Sequence, residues 1–210
     1  MTNPAITGVI LAGGRNSRFD GKDKSQLVIG GQRILDRLCA IFSDCFDEVI
    51  IVTNDPLRYL ERDVKIVSDL LPLRSSLTGL YTGLFYARHP HAFIAACDTP
   101  FLKREMVELV VGKIDRETDI VMPQTSAGME PLCAAYSKNC LKPAEQHLQQ
   151  EKLKIQLALG RCRMKKIPES VLKDVDPELE SFFNVNNPED LRKAKEMAAN
   201  HGHQRIDRKR

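Results

Sequence analysis

The chain has 210 residues, 42% hydrophobic and 28% charged, which excludes a disordered, collagen-like or membrane-embedded polypeptide and suits one globular domain at roughly 150 residues per domain. The net charge of +3 is carried by residues 201–210, where Arg205, Arg208, Lys209 and Arg210 outweigh Asp207; the body is therefore neutral and offers no clustered basic face for nucleic acid. No apolar run reaches the ~18 residues that span a bilayer, and the first six residues lack a secretory pattern, so no membrane partner and a cytoplasmic location are expected.

In chain order, residues 6–12 form a short apolar run rich in β-branched side chains and ended by Gly13-Gly14, the pattern of a strand buried on both faces. Residues 15–25 hold too much Gly, Asp and Lys for a helix core and read as a loop at that strand's end. Ile34, Leu35, Leu38, Ile41 and Phe42 recur at helical spacing, and residues 49–53 give a second buried strand closed by Asn54-Asp55-Pro56. A short helix at 57–62, a strand at 64–67, a loop to Ser76 and a helix over 77–88 follow. Residues 93–97 form the next strand, ending at Asp98-Thr99-Pro100, and helical periodicity resumes over 103–113. The second half predicts strands at 120–123, 131–136 and 163–167 and helices at 138–150 and 188–200.

Strands that alternate with helices need crossover connections. The expected class is α/β: a single domain over residues 1–200 with a mostly parallel sheet and helices on both faces, then a basic, unstructured tail over 201–210. Ligands bind such sheets beyond the carboxyl ends of the strands, where the polar clusters 13–24, 54–56 and 98–100 fall. Six cysteines, at 39, 45, 97, 133, 140 and 162, show no Cys-x-x-Cys spacing, which removes the usual zinc and redox-pair patterns and predicts mostly buried thiols in a reducing compartment. The histidine pairs 89/91 and 201/203 have no cysteine pair nearby to complete a metal set.

Two phosphate-binding patterns can be tested directly. Gly21-Lys22 is followed by Asp23, which breaks the Walker pattern, and Gly-x-Gly-x-x-Gly is absent after the first strand. The loop instead reads Leu11-Ala12-Gly13-Gly14-Arg15-Asn16-Ser17-Arg18-Phe19-Asp20-Gly21-Lys22-Asp23-Lys24. Glycines let backbone N–H groups approach a triphosphate, and Arg18 and Lys24 bring positive charge to it. By composition alone, a solvated glycine-rich turn explains the loop equally well.

The order Leu-Ala-Gly-Gly, Ser-x-Arg, Asp-Lys resembles the signature loop of the molybdenum cofactor guanylyltransferases, within the nucleotidyltransferases of GT-A-like (Rossmann-like) α/β fold. Matching segments run along nearly the whole chain: Ser68-Asp69, Leu77-x-Gly79, Cys97-Asp98-Thr99-Pro100-Phe101, Glu130-Pro131-Leu132-x-Ala134-x-Tyr136 and Asn184-Val185-Asn186-x-Pro188-Glu189-Asp190-Leu191. The resemblance implies transfer of GMP from GTP to the phosphate of molybdenum-molybdopterin, with release of pyrophosphate. A phosphate monoester is already nucleophilic at neutral pH, so no Ser/His/Asp set is needed; the protein must align two anions and absorb charge.

The resemblance also implies roles. Asp98 would hold Mg²⁺, which favours one or two carboxylates together with phosphates and waters. Leu11, Ala12 and Gly13 would meet the nucleotide through backbone groups, Lys24 the phosphates, Asn54 and Asp69 the nucleoside, Arg18 the charge on the bridging and leaving oxygens, and Asn184 and Asn186 the pterin side. A molybdoenzyme or chaperone is a further candidate partner. Each role has a plainer alternative: a helix cap or Asx turn for Asp98, ordinary turn residues for Asn54 and Asp69, a surface ion pair for Arg18, and helix capping for the two asparagines. Glu189 and Asp190 complement the dipole of the last helix.

Two departures stand out. Arg74-Ser75-Ser76-Leu77-Thr78-Gly79 occupies the place of the family's Gly-Pro-Leu-x-Gly, and Phe19-Asp20 that of Met-Gly. The alternatives are a cytidylyl- or sugar-nucleotidyltransferase, against which the Leu-Ala-Gly-Gly order weighs because the cytidylyl relatives resemble Leu-Ala-Ala-Gly at these four positions, and a GTP-binding regulatory module without turnover.

Overall fold

The computed structural model describes residues 5–13 and 26–207, with side chains described to residue 200. The first strand, β1 (Ile6–Leu11), is buried along its whole length and forms the centre of a sheet. It pairs in parallel with β4 (Val49–Val52) on one side and β6 (His91–Ala96) on the other, and β5 (Lys65–Val67) extends the parallel half beyond β4. Among the described residues the order is β10-β7-β9-β6-β1-β4-β5, with β7 (Ile120–Thr125), β9 (Cys133–Ser137) and β10 (Met164–Pro168), and a short β8 (Gly128–Met129) pairing with β7. β9 is antiparallel to both its neighbours because the chain reaches it from β7 through the tight β8 hairpin. Crossovers make the rest of the main path parallel, as expected.

Alternate side chains divide two cores. One face carries Ile6, Ile10, Ile51, Phe93, Val121 and Ala135. They pack against α1 (Ile34–Cys45), α3 (Arg104–Val111), α6 (Glu169–Val175) and the start of α7 (Pro188–Asp207). The other face carries Val9, Ile50, Ile94, Met122 and Tyr136 against α2 (Ser76–Tyr86), α4 (Leu141–Gln149) and α5 (Ile155–Ala158). Phe42, Phe46 and Phe93 form one aromatic cluster with ring centroids 5.2–6.0 Å apart. β1 has almost no room on either side. A Cβ at Gly8 would run into the Phe42 and Phe46 rings, and one at Gly83 on α2 would run into Val9.

The long strands and helices fall where periodicity places them, with ends moved by a few residues. The segment expected as a helix over 57–62 is a single 3₁₀ turn, Pro56–Tyr59, because Pro56 starts a turn that too few residues follow to extend. The expected unstructured tail is corrected in part: helical backbone in α7 continues to Asp207, so the boundary at 200 falls inside a helix. Cys133 and Cys140 are buried, whereas the other four cysteines are only half-buried, and no disulfide joins any of them. The hairpin of β2 (Val28–Ile29) and β3 (Gln32–Arg33) leads directly into α1.

Candidate active site

A cavity of about 620 Å³ opens at the carboxyl ends of β1, β4, β5 and β6, within the ~300–1,000 Å³ range of small-ligand pockets. Parallel strands deliver one loop each to this edge: Ala12 and Gly13 follow β1, Thr53 and Asn54 follow β4, Asp69 follows β5, and Cys97 and Asp98 follow β6. Bonds that continue the ladder hold the loop starts together. Ala12 N–H donates to Val52 O at 2.8 Å, Thr53 N–H to Val67 O at 2.9 Å, and Cys97 N–H to Leu11 O at 3.0 Å.

Asn54 and Asp69 act as a pair, with Asn54 Nδ2 donating to Asp69 Oδ2 at 2.7 Å. The second oxygen, Asp69 Oδ1, is buried and takes no hydrogen bond among the described residues. Burial pushes the Asp69 carboxyl above its usual range; the Asn54 bond, the Arg74 charge and Thr82 oppose that shift. A buried acceptor with no donor is matched by a ligand that brings an N–H or O–H. Arg58 and Arg74 add positive charge to the lining, although Arg58 is paired with Asp55.

The capping alternative for Asp98 fails. α3 starts after Lys103, and the turn from β6 is closed by Thr99, whose hydroxyl donates to Ala96 O at 2.8 Å. Asp98 instead lines the cavity, and its carbonyl accepts the N–H of buried Val185 at 2.9 Å. That bond brings the Asn184-Val185-Asn186 segment against the Asp98 turn. Neither asparagine caps α7. Asn187 does so, taking Asp190 N–H on Oδ1 at 2.9 Å while Asp190 Oδ2 accepts the N–H groups of Asn186 and Asn187. Glu189 pairs with Arg192.

Of the residues singled out from sequence, Leu11, Ala12, Gly13, Asn54, Asp69 and Asp98 share this cavity. Asn184 and Asn186 do not line it; the Val185–Asp98 bond places them beside its rim. Arg18 and Lys24 lie outside the described residues. The departure at Ser75 has a local reason: its hydroxyl accepts Thr78 N–H at 3.1 Å and caps α2, whose first residue, Ser76, lines the cavity. Sequence reasoning did not place Arg58 or Arg74 in the site. Arg74 could have been found through the Ser75–Gly79 motif segment it precedes, whereas Arg58 has no such local signal and enters through the fold.

Residues 8–164 match the family model described as the MobA-like NTP transferase domain. A molybdenum cofactor guanylyltransferase from Desulfosudis oleivorans is 43% identical over 190 residues, covering 90% of this chain and 94% of that protein. A probable molybdenum cofactor guanylyltransferase from Natranaerobius thermophilus is 38% identical, with 90% and 95% covered. Among solved structures, molybdopterin-guanine dinucleotide biosynthesis protein A from Archaeoglobus fulgidus superposes with a TM-score of 0.81 at 26% identity, covering 93% of this chain and all of that one. The fold also resembles 2-C-methyl-D-erythritol 4-phosphate cytidylyltransferase from Thermus thermophilus, TM-score 0.66 at 18% identity. A cavity at the ends of four parallel strands, lined by the Leu-Ala-Gly start and the Asp after β6, agrees with a match over most of the chain: this protein belongs to the MobA-like NTP transferase family.

Proposed function

We propose that the protein is a molybdenum cofactor guanylyltransferase, which transfers GMP from GTP to the phosphate of molybdenum-molybdopterin. One observation carries the reading: Asp98, the Asn54–Asp69 pair and the glycine-ended β1 converge on a single nucleotide-sized cavity. In the reaction, an acceptor phosphate oxygen forms a bond to the α-phosphorus of GTP, the bond to the β-phosphate oxygen breaks, and pyrophosphate leaves with that electron pair. Asp69 Oδ1 receives a donor of the nucleoside, Gly13 lets the backbone approach the phosphates, and Lys24 and Arg18 oppose the charge of the leaving group.

The donor set suits Mg²⁺. No group of three His, Cys, Asp or Glu side chains that could hold a metal occurs among the described residues, and Mg²⁺ needs only one or two carboxylates when phosphates and waters complete its shell. Asp98, on the turn that follows β6 and on the cavity lining, is the carboxylate we assign to it. When bound, the ion would neutralise charge on the triphosphate. Six cysteines that form no disulfide, two of them buried, support a cytoplasmic setting. No helix among the described residues is long and apolar enough to cross a membrane.

The test pairs GTP and CTP with molybdopterin as acceptor and measures pyrophosphate release. GTP should be used in preference, and Asp98→Asn should lower turnover roughly 10²–10³-fold with unchanged thermal unfolding. Preferential CTP turnover would indicate the cytidylyl alternative; GTP binding without any product would indicate a regulatory module.

A further inference from the structure

A second cavity, of about 460 Å³, lies at the same edge of the sheet. β7 runs parallel to β6 with only β9 between them, so its carboxyl end, at Thr125, lies about 10 Å across the sheet from the end of β6, where Asp98 is placed. Two connections join the cavities. In the segment between β8 and β9, Glu130 lines the second cavity and Leu132 the first. In the segment before α7, Phe182 and Phe183 line the second cavity, and Val185 is bonded to the Asp98 carbonyl.

The lining has two characters. Leu179, Phe182, Phe183 and Met197 make an apolar wall, and Phe183 is held by Phe101 with ring centroids 6.1 Å apart. Glu130 lines the same cavity. Among the described residues its half-buried side chain takes one long hydrogen bond, from Thr125 Oγ1 at 3.4 Å, while the same hydroxyl is closer, at 3.2 Å, to Gly128 O. Glu178 adds negative charge, and Glu180 is drawn towards Lys103 at 3.3 Å. Such a pocket repels a phosphate and favours a flat, neutral ring with adjacent N–H donors.

Resting on the guanylyl-transfer reading, we propose that this second cavity holds the pterin ring of the acceptor, with Glu130 accepting hydrogen bonds from the adjacent ring N–H and 2-amino group and the Phe182–Phe183 wall covering a ring face. A carboxylate takes two parallel N–H donors from a 2-amino-4-oxopyrimidine edge, and an aromatic wall supplies the stacking surface. The repelled phosphate end then points away from Glu130 and Glu178, across the sheet edge to Asp98. Burial holds the Glu130 carboxyl above its usual range, and two donors would oppose that shift. The acidic wall therefore sets the acceptor's direction as well as its ring identity.

The probe is 6-hydroxymethylpterin, which lacks a phosphate and so cannot be guanylylated. It is titrated by its fluorescence into the intact protein saturated with GTP and Mg²⁺. Binding should persist with GTP present, and 6-hydroxymethyllumazine, with a carbonyl in place of the 2-amino group, should bind at least about tenfold more weakly. Glu130→Gln should lose about tenfold in pterin affinity together with that discrimination, and Glu130→Asp should recover part of the discrimination. Ala127→Trp, at the exposed hairpin tip on the cavity mouth, should block the pterin while leaving GTP affinity and the unfolding midpoint unchanged. Displacement of the pterin by GTP, or equal pterin and lumazine binding in wild type and Glu130→Gln, would overturn the inference. Pterin binding that obeys these rules without guanylyl transfer would uphold the pocket and remove the proposed reaction. Transfer whose acceptor KM ignores Glu130→Gln would do the reverse.

Discussion

Asp119, at the entry to β7, is a side chain that the fold uses purely for structure. It accepts from Arg163 Nε and Nη2 at 3.1 Å each, from Arg163 N–H at 3.0 Å and from Asn139 Nδ2 at 2.9 Å, and only 10% of its side chain is exposed. The Arg163 guanidinium, above all, holds its carboxyl well below the usual carboxylate range. Because the folded-state value is depressed, the stabilisation is complete above the unfolded value near ~3.9 and is lost as pH falls through the acid range. Urea unfolding of wild type and Asp119→Asn should therefore show a wide gap in midpoint at pH 7 that narrows at pH 3; a gap independent of pH would refute this assignment. Asp98 and Asp119 are both acidic residues beside buried strands, and sequence separated them only through motif order. The structure separates them by place, since donors from Arg163 and Asn139 surround Asp119 and Asp98 lines the cavity.

At the scale of elements, α2 shows how tight the sandwich is. Gly83 lies against Val9 of β1, and a Cβ added at Gly79 would come within 3.3 Å of Leu11 Cδ2. Alanine would ordinarily favour a helix interior over glycine by about 1 kcal/mol. Here the added methyl would push α2 off the central strand, so Gly83→Ala should destabilise by about 1–3 kcal/mol, read from chemical denaturation. A stability gain would show that the interface can relax. The fully buried strands were legible because their runs are continuously apolar, and α1 because its buried side chains Ile34, Leu35, Leu38 and Phe42 keep helical spacing. The two-residue strands β2 and β3 carry no period. Their signal was the turn Gly30-Gly31, with φ of 59° and 80°, a two-residue hairpin that composition alone does not distinguish from a loop. α5 and α6, four and seven residues long, are likewise too short to repeat a pattern.

For the whole molecule, the first cavity draws its walls from the ends of β1, β4, β5 and β6 and from the start of α2. A ligand that bridges so many elements binds only the folded chain, so GTP with Mg²⁺ at about 100 times its Kd should stabilise by about 2.7 kcal/mol. Arg58 and Arg74 on the lining predict that this gain shrinks as salt rises. A thermal shift equal for GTP and CTP, or indifferent to ionic strength, would contradict the proposed recognition.

The chain's own order of residues determined the α/β class and the ligand-bearing edge, and its motifs singled out Leu11, Ala12, Gly13, Asn54, Asp69 and Asp98, which the fold gathers around one cavity, because strand periodicity and short motifs are local properties. Tertiary structure alone decided the direction of β9, the pairing of Asn54 with Asp69, the transfer of the capping role to Asn187, and the second cavity beside Glu130. Each of these depends on which distant segments lie side by side, and the crossovers of the sheet set that proximity, not the spacing of residues along the chain.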